Sequence, residues 1–216
     1  MKKTFCILQL LLVALSVSAA DTTRILWLGN SLIKSTYSRI KEVSWCAEER
    51  GVPIYQEYGN YQYDAENGWN KVPANKDLIR NKPWDYVVVQ VFGTSGCVLK
   101  SYAGNPLDSI LAIMSKWDEL IDSVGAKTVF YMPWGTNGYK PSYDPINRTW
   151  KPDRMDTATS ILRTKAAELD AALFPVGTAQ FEVQKRDPSV RLFLDWIHGS
   201  AAAGYLGGLI SYSVIT

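Results

Sequence analysis

The 216-residue chain contains one histidine, three cysteines and no marked excess of either charge, and each scarcity closes off a class of chemistry. A single imidazole excludes any intrachain site that needs two, the HExxH type of zinc centre included. Three cysteines are too few for a dense disulfide framework. With 23 basic and 21 acidic residues, 20% charged in all, the chain is unlike a disordered polyelectrolyte. No repeat, low-complexity tract or charge block interrupts it. The segment GNSLIKS at 29–35 lacks the spacing of a phosphate-binding loop and of the GxGxxG fingerprint, and no cofactor is expected. What remains is a chain 47% hydrophobic and 12% aromatic, suited to one ordinary globular domain.

The first twenty residues stand apart. Lys2 and Lys3 precede an apolar run from Phe5 through Leu15, and small residues follow at Ser16, Ser18, Ala19 and Ala20. This is the layout of a secretory signal peptide, and the run is short of the roughly 20 residues a membrane span requires. Cys6 lies inside the run, which argues against a lipid-modified cysteine at a mature N-terminus. The expectation is a signal peptide over 1–20 and a single secreted or periplasmic domain over 21–216, with no stable membrane anchor after cleavage. Losing Lys2 and Lys3 leaves 21 basic residues against 21 acidic ones. That balance offers no electrostatic case for a nucleic-acid partner. Cys46 and Cys97 remain in a compartment that permits disulfides, and both a bridge and two buried thiols are open.

Five β-rich runs alternate with amphipathic stretches: Arg24–Leu28, Pro53–Tyr58, Asp85–Val91, Lys127–Met132 and Ala172–Val176. Three are nearly continuous in apolar character, as strands covered on both faces of a parallel sheet are. Leu107, Ile110, Leu111, Met114, Trp117, Leu120, Ile121 and Val124 recur at helical steps, with Pro106 before them and Gly125 after, so this helix carries its start and stop signals. Helices are also expected over Tyr37–Arg50, Met155–Ala171 and Ser200–Ser213. The alternation predicts a three-layer α/β/α domain with a mainly parallel five-stranded sheet.

Ligands of such sheets sit beyond the carboxyl ends of the strands. The first run ends on Gly29-Asn30-Ser31-Leu32, which sets a hydroxyl at a strand-to-helix turn, where free N–H groups favour developing negative charge. By position alone Ser31 is more often a helix cap than a nucleophile. Near the other end stands Asp195-Trp196-Ile197-His198. A carboxylate three residues before an imidazole can fix its tautomer and stabilise the imidazolium, as a serine nucleophile requires of its base.

The two segments together, in this order and context, resemble the SGNH (GDSL-type) hydrolase family, whose nucleophile lies in a Gly-Asp-Ser-Leu block and whose acid and base lie in a C-terminal Asp-x-x-His block. The resemblance runs from about Arg24 to the end of the chain and implies a flavodoxin-like sheet and ester hydrolysis. By it Ser31 is the nucleophile, His198 the general base and Asp195 its orienting carboxylate, with no metal. Asn30 stands where the family usually has aspartate. The family's third block, Gly-x-Asn-Asp, is absent. A branch of the family looks similar at Trp84-Asp85-Tyr86-Val87-Val88-Val89-Gln90, so the Gln90 amide is expected to replace the missing asparagine as an oxyanion donor, with Ser95 as the fallback. The Ser31 backbone N–H is a further donor by the same resemblance. Gly59 and Gly68 compete for the second-block donor.

Tyr61, Tyr63 and Trp69 follow the second run, and Tyr139, Tyr143 and Trp150 fall in a long connection from Trp134 to Asp153. Connections of this length are uncommon without a functional reason. Aromatic rings beside Asn, Asp and Gln suit the apolar faces and hydroxyl edges of sugars. The expected substrate is therefore an acetyl or other acyl ester on a carbohydrate. A lipid ester or thioester is the alternative within the same chemistry, and a non-catalytic carbohydrate-binding protein is the alternative outside it.

Overall fold

The computed structural model describes residues 22–48, 53–60, 73–91, 107–134, 152–194 and 198–215. Five strands, β1 (Thr23–Gly29), β2 (Ile54–Asn60), β3 (Tyr86–Gln90), β4 (Lys127–Tyr131) and β5 (Ala172–Phe174), form one sheet in the order β2-β1-β3-β4-β5. Every pairing is parallel. Six helices accompany them: α1 (Ser31–Glu48), α2 (Pro73–Arg80), α3 (Leu107–Asp122), α4 (Pro152–Glu168), α5 (Val176–Arg186) and α6 (Ala201–Ile215).

The strands read as apolar runs because both faces are covered. On one face Leu26, Leu28, Val87, Val89 and Phe130 pack with Met114, Trp117 and Ile121 of α3 and Leu162 of α4. On the other, Ile25, Trp27, Val88, Val129 and Tyr131 pack with Ile33 and Ile40 of α1. Tyr131 also places its hydroxyl 2.8 Å from that of Thr36, so the one polar atom of a fully buried ring is satisfied.

The chain leaves β1 toward β2 on one side and returns to β3 on the other. The crevice between the ends of β1 and β3 is therefore the topological switch point of the sheet. Ser31 follows the end of β1, and Gln90 ends β3.

Several boundaries differ from expectation. Helix α1 begins at Ser31 rather than Tyr37, because side chains cap its start and Leu32 and Ile33 of its first turn are already buried. The fifth strand stops at Phe174, and Pro175 precedes a helix, α5, that the apolar pattern of 176–186 does not announce. The eight-residue α2, with Leu78 and Ile79 as its only large apolar residues, was equally silent. Gly59 and Asn60, expected just after the second strand, lie inside it. Cys46 is an exposed free thiol on α1, and Cys97 lies outside the described residues. Among the described residues no helix is long and apolar enough to cross a membrane.

Candidate active site

The geometry of the first strand-to-helix turn follows from its side chains. Of the four N–H groups that open a helix without intrahelical partners, three are satisfied in α1. Asn30 N–H donates to Gln90 Oε1 at 3.2 Å, and Ile33 N–H donates to the same oxygen at 3.3 Å. Leu32 N–H donates to Asn30 Oδ1 at 3.0 Å, so Asn30 is the N-cap. The fourth, Ser31 N–H, takes part in none of the described hydrogen bonds. Gln90 Nε2 donates to Asn30 Oδ1 at 3.0 Å, which ties the two amide side chains to each other as well as to the turn.

Gly29 is explained by the same arrangement. A Cβ there would lie 2.3 Å from Ile33 Cγ2 and 2.8 Å from Gln90 Oε1, so only glycine lets the Gln90 carbonyl approach. The Gly29 carbonyl accepts a 2.8 Å hydrogen bond from Tyr58 Oη on β2. Half-burial pushes the Tyr58 phenol above its ordinary pKa, which keeps it a donor. The turn is thus held from β2 by Tyr58 and from β3 by Gln90.

Across the crevice, His198 Nε2 stands 3.2 Å from Ser31 Oγ. Ser31 is exposed and His198 half-buried, so the pair is open to a substrate. The segment carrying His198 is a narrow loop. Phe193 and Gly199 form an antiparallel bridge, Leu194 N–H donates to His198 O at 2.9 Å, and Ser200 N–H donates to Leu192 O at 2.8 Å. Arg191 stitches it from outside, donating from Nε to Phe193 O at 3.2 Å and from Nη2 to Leu194 O at 3.4 Å. Trp134, fully buried after β4, packs edge-on against Phe193 with ring centroids 5.8 Å apart.

The expected site residues therefore divide. Ser31, His198 and Gln90 come together at the switch point. Gly59 pairs with Leu28, and a Cβ there would meet Leu28, Asn75 and Leu78 within 3.0 Å, a packing reason for glycine. Asp195, Gly68 and Ser95 lie outside the described residues, as do the aromatic residues Tyr61, Tyr63, Trp69, Tyr139, Tyr143 and Trp150. Trp134 is a core residue and not part of an open aromatic loop. Tyr58 was missed, since nothing in a strand sequence tells which tyrosine reaches a neighbouring carbonyl. Among the described residues no group of His, Cys, Asp and Glu is arranged to hold a metal ion.

No family model matches the chain, and no curated protein does. Solved structures do match in fold. An acetyl xylan esterase, AlAXEase, superimposes with a TM-score of 0.66 at 14% identity, over 89% of this chain and 100% of its own. Axe2, an acetylxylan esterase from Geobacillus stearothermophilus, gives 0.63 at 15% identity, over 92% and 96%. A putative GDSL-like lipase from Parabacteroides merdae gives 0.57 at 12% identity, over 92% and 97%. At these identities the likeness is one of fold: an all-parallel, SGNH-hydrolase-like α/β domain.

Proposed function

We propose that the protein is a serine esterase that hydrolyses carboxylic esters through an acyl-enzyme. The observation that carries this reading is the 3.2 Å approach of His198 Nε2 to Ser31 Oγ at the switch point of the sheet, the separation at which a base takes a hydroxyl proton. Ser31 Oγ attacks the ester carbonyl as His198 accepts its proton, and Asp195 holds the imidazole in the required tautomer. The oxyanion of the tetrahedral intermediate is received by Ser31 N–H, the open donor of α1. Gly68 is the proposed second donor, because packing against Leu28 and Leu78 already accounts for Gly59. Collapse expels the alcohol with the proton from His198. Water, activated by the same base, then releases the acid and restores Ser31.

The substrate proposed is an acetyl or other acyl ester on a carbohydrate. The likeness to two acetyl xylan esterases supports it, and so does the aromatic content of the segments at 61–69 and 139–150. The signal-like segment at 1–20 supports action outside the cytoplasm. Purified protein is expected to hydrolyse p-nitrophenyl acetate, and Ser31→Ala to abolish the activity. Absence of turnover together with absence of fluorophosphonate labelling at Ser31 would sink the esterase reading. Acetate release from acetylated polysaccharides, measured against medium-chain lipid esters, tests the substrate. A preference for long acyl chains would move the assignment to lipids.

A further inference from the structure

We propose that Asn30 and Gln90 form a reciprocal amide clamp that positions the nucleophile turn, and that Gln90 serves the reaction through this clamp. The inference rests on the serine-esterase reading and assigns two further residues to that site.

The argument begins with the direction of the Gln90 amide. Its oxygen receives two backbone N–H groups, those of Asn30 and Ile33, and a backbone N–H is a donor only. The carbonyl end must therefore face the turn, and the amide nitrogen faces Asn30 Oδ1. That oxygen in turn accepts Leu32 N–H. Two side chains, one in the turn after β1 and one at the end of β3, thus consume three of the four open N–H groups of α1. They do so selectively, because Ser31 N–H is left for the substrate. A lone N–H beside capped neighbours is a better-defined oxyanion donor than one of four competing ones, since its direction is fixed before the charge develops.

The clamp also links the two departures from the family pattern. Here an amide at each place makes a pair in which each side-chain oxygen accepts backbone N–H groups and Gln90 Nε2 donates to Asn30 Oδ1. Gly29 completes the arrangement by leaving room for the Gln90 carbonyl. Gln90 is 3% exposed, the burial expected of a side chain that supports a turn from beneath.

The test is a double-mutant cycle on p-nitrophenyl acetate with Asn30→Ala, Gln90→Ala and the double variant. Each single change is expected to lower kcat about tenfold to a hundredfold with KM little altered, as displaced catalytic groups do. The double variant should be no worse than the poorer single one by more than about threefold, because one clamp is lost only once. Asn30→Asp, which keeps both acceptor bonds, should recover most of the rate lost in Asn30→Ala. Losses that multiply in the double variant, or a loss at Gln90 with none at Asn30, would overturn the clamp and return Gln90 to the oxyanion. Should Gln90→Ala fail to fold, Gln90→Met, of similar length without the amide, takes its place. Amide hydrogen exchange supplies a readout independent of turnover. Ile33 N–H should be protected in the wild type and lose protection when Gln90 is replaced, whereas unchanged protection would refute the clamp. A wild type that neither turns over ester nor labels at Ser31 defeats the esterase reading alone, and the exchange experiment still decides the clamp.

Discussion

Trp134 and Phe193 meet edge-on, and the tip of the same indole lies where a side chain on Gly199 would be, with Cη2 3.1 Å from the Cβ position. Trp134, three residues beyond the end of β4, therefore supports, from below, both arms of the loop that carries His198. Trp134→Ala should destabilise the protein by about 3 to 5 kcal/mol, the usual cost of emptying a large aromatic site. Because the void opens under the loop, the rate should fall as well. Urea denaturation and ester turnover on the same sample check both, and a stability loss with full kcat would show that the loop holds itself.

The hydroxyl of Tyr58 reaches the carbonyl of the residue before the N-cap. Tyr58→Phe removes that bond and is expected to cost about 1 kcal/mol of turn positioning, roughly fivefold in kcat. Steady-state kinetics with KM unchanged would support it. An effect confined to KM would place Tyr58 on the substrate instead.

A buried phenol, Tyr131, and a half-buried one, Tyr58, set an alkaline limit. Burial raises the pKa of Tyr131, against a smaller opposing contribution from its bond to Thr36, and burial likewise raises that of Tyr58. A group whose pKa is higher in the fold than in the unfolded chain contributes stability that is complete below its unfolded value, about 10 for tyrosine, and is lost as the pH climbs above it. The unfolding midpoint should fall from about pH 10 upward, less steeply in Tyr131→Phe. That variant should also lose about 1 to 3 kcal/mol at neutral pH, since the Thr36 hydroxyl is left buried without its partner. Equal alkaline slopes in the two proteins would remove Tyr131 from this account.

Helices α1 and α6 lie in close contact where α6 has no side chains to keep them apart. A Cβ at Gly207 would stand 2.2 Å from Thr36 Oγ1, and one at Gly204 would stand 2.6 Å from Ser35 O. Gly207→Ala should destabilise by about 1 to 3 kcal/mol despite the better helix propensity of alanine. Thermal unfolding measures it, and an unchanged or raised midpoint would mean that the helices separate without cost.

The order of strands and helices was legible because both sheet faces are buried, so Val87, Val88 and Val89 form one apolar run and Leu107 through Val124 keep a helical period. Ser31 and His198, which the fold brings within 3.2 Å of each other, could be singled out because a turn and a carboxylate-imidazole spacing are local patterns. The direction of the Gln90 amide was not legible. The residue type suits a donor to the oxyanion and a support for the turn equally, and the choice depends on which end of the amide meets the N–H groups of α1. Helix α5 was hidden because Val176 and Phe181 carry its buried side with glycine and glutamine between them. Such a mixed face has no apolar period to read.

The contact between α1 and α6 has a consequence for how the site comes into being. Ser31, the proposed nucleophile, is the first residue of α1, and α6 begins three residues after His198. The Ser31 to His198 distance is therefore fixed by the docking of two helices from opposite ends of the chain, not by either loop alone. A folding intermediate with the sheet formed and α6 undocked would hold Ser31 without His198 beside it. Hydrolysis would then report the last long-range closure of the chain, and its recovery during refolding should lag behind the return of the buried tryptophan signal.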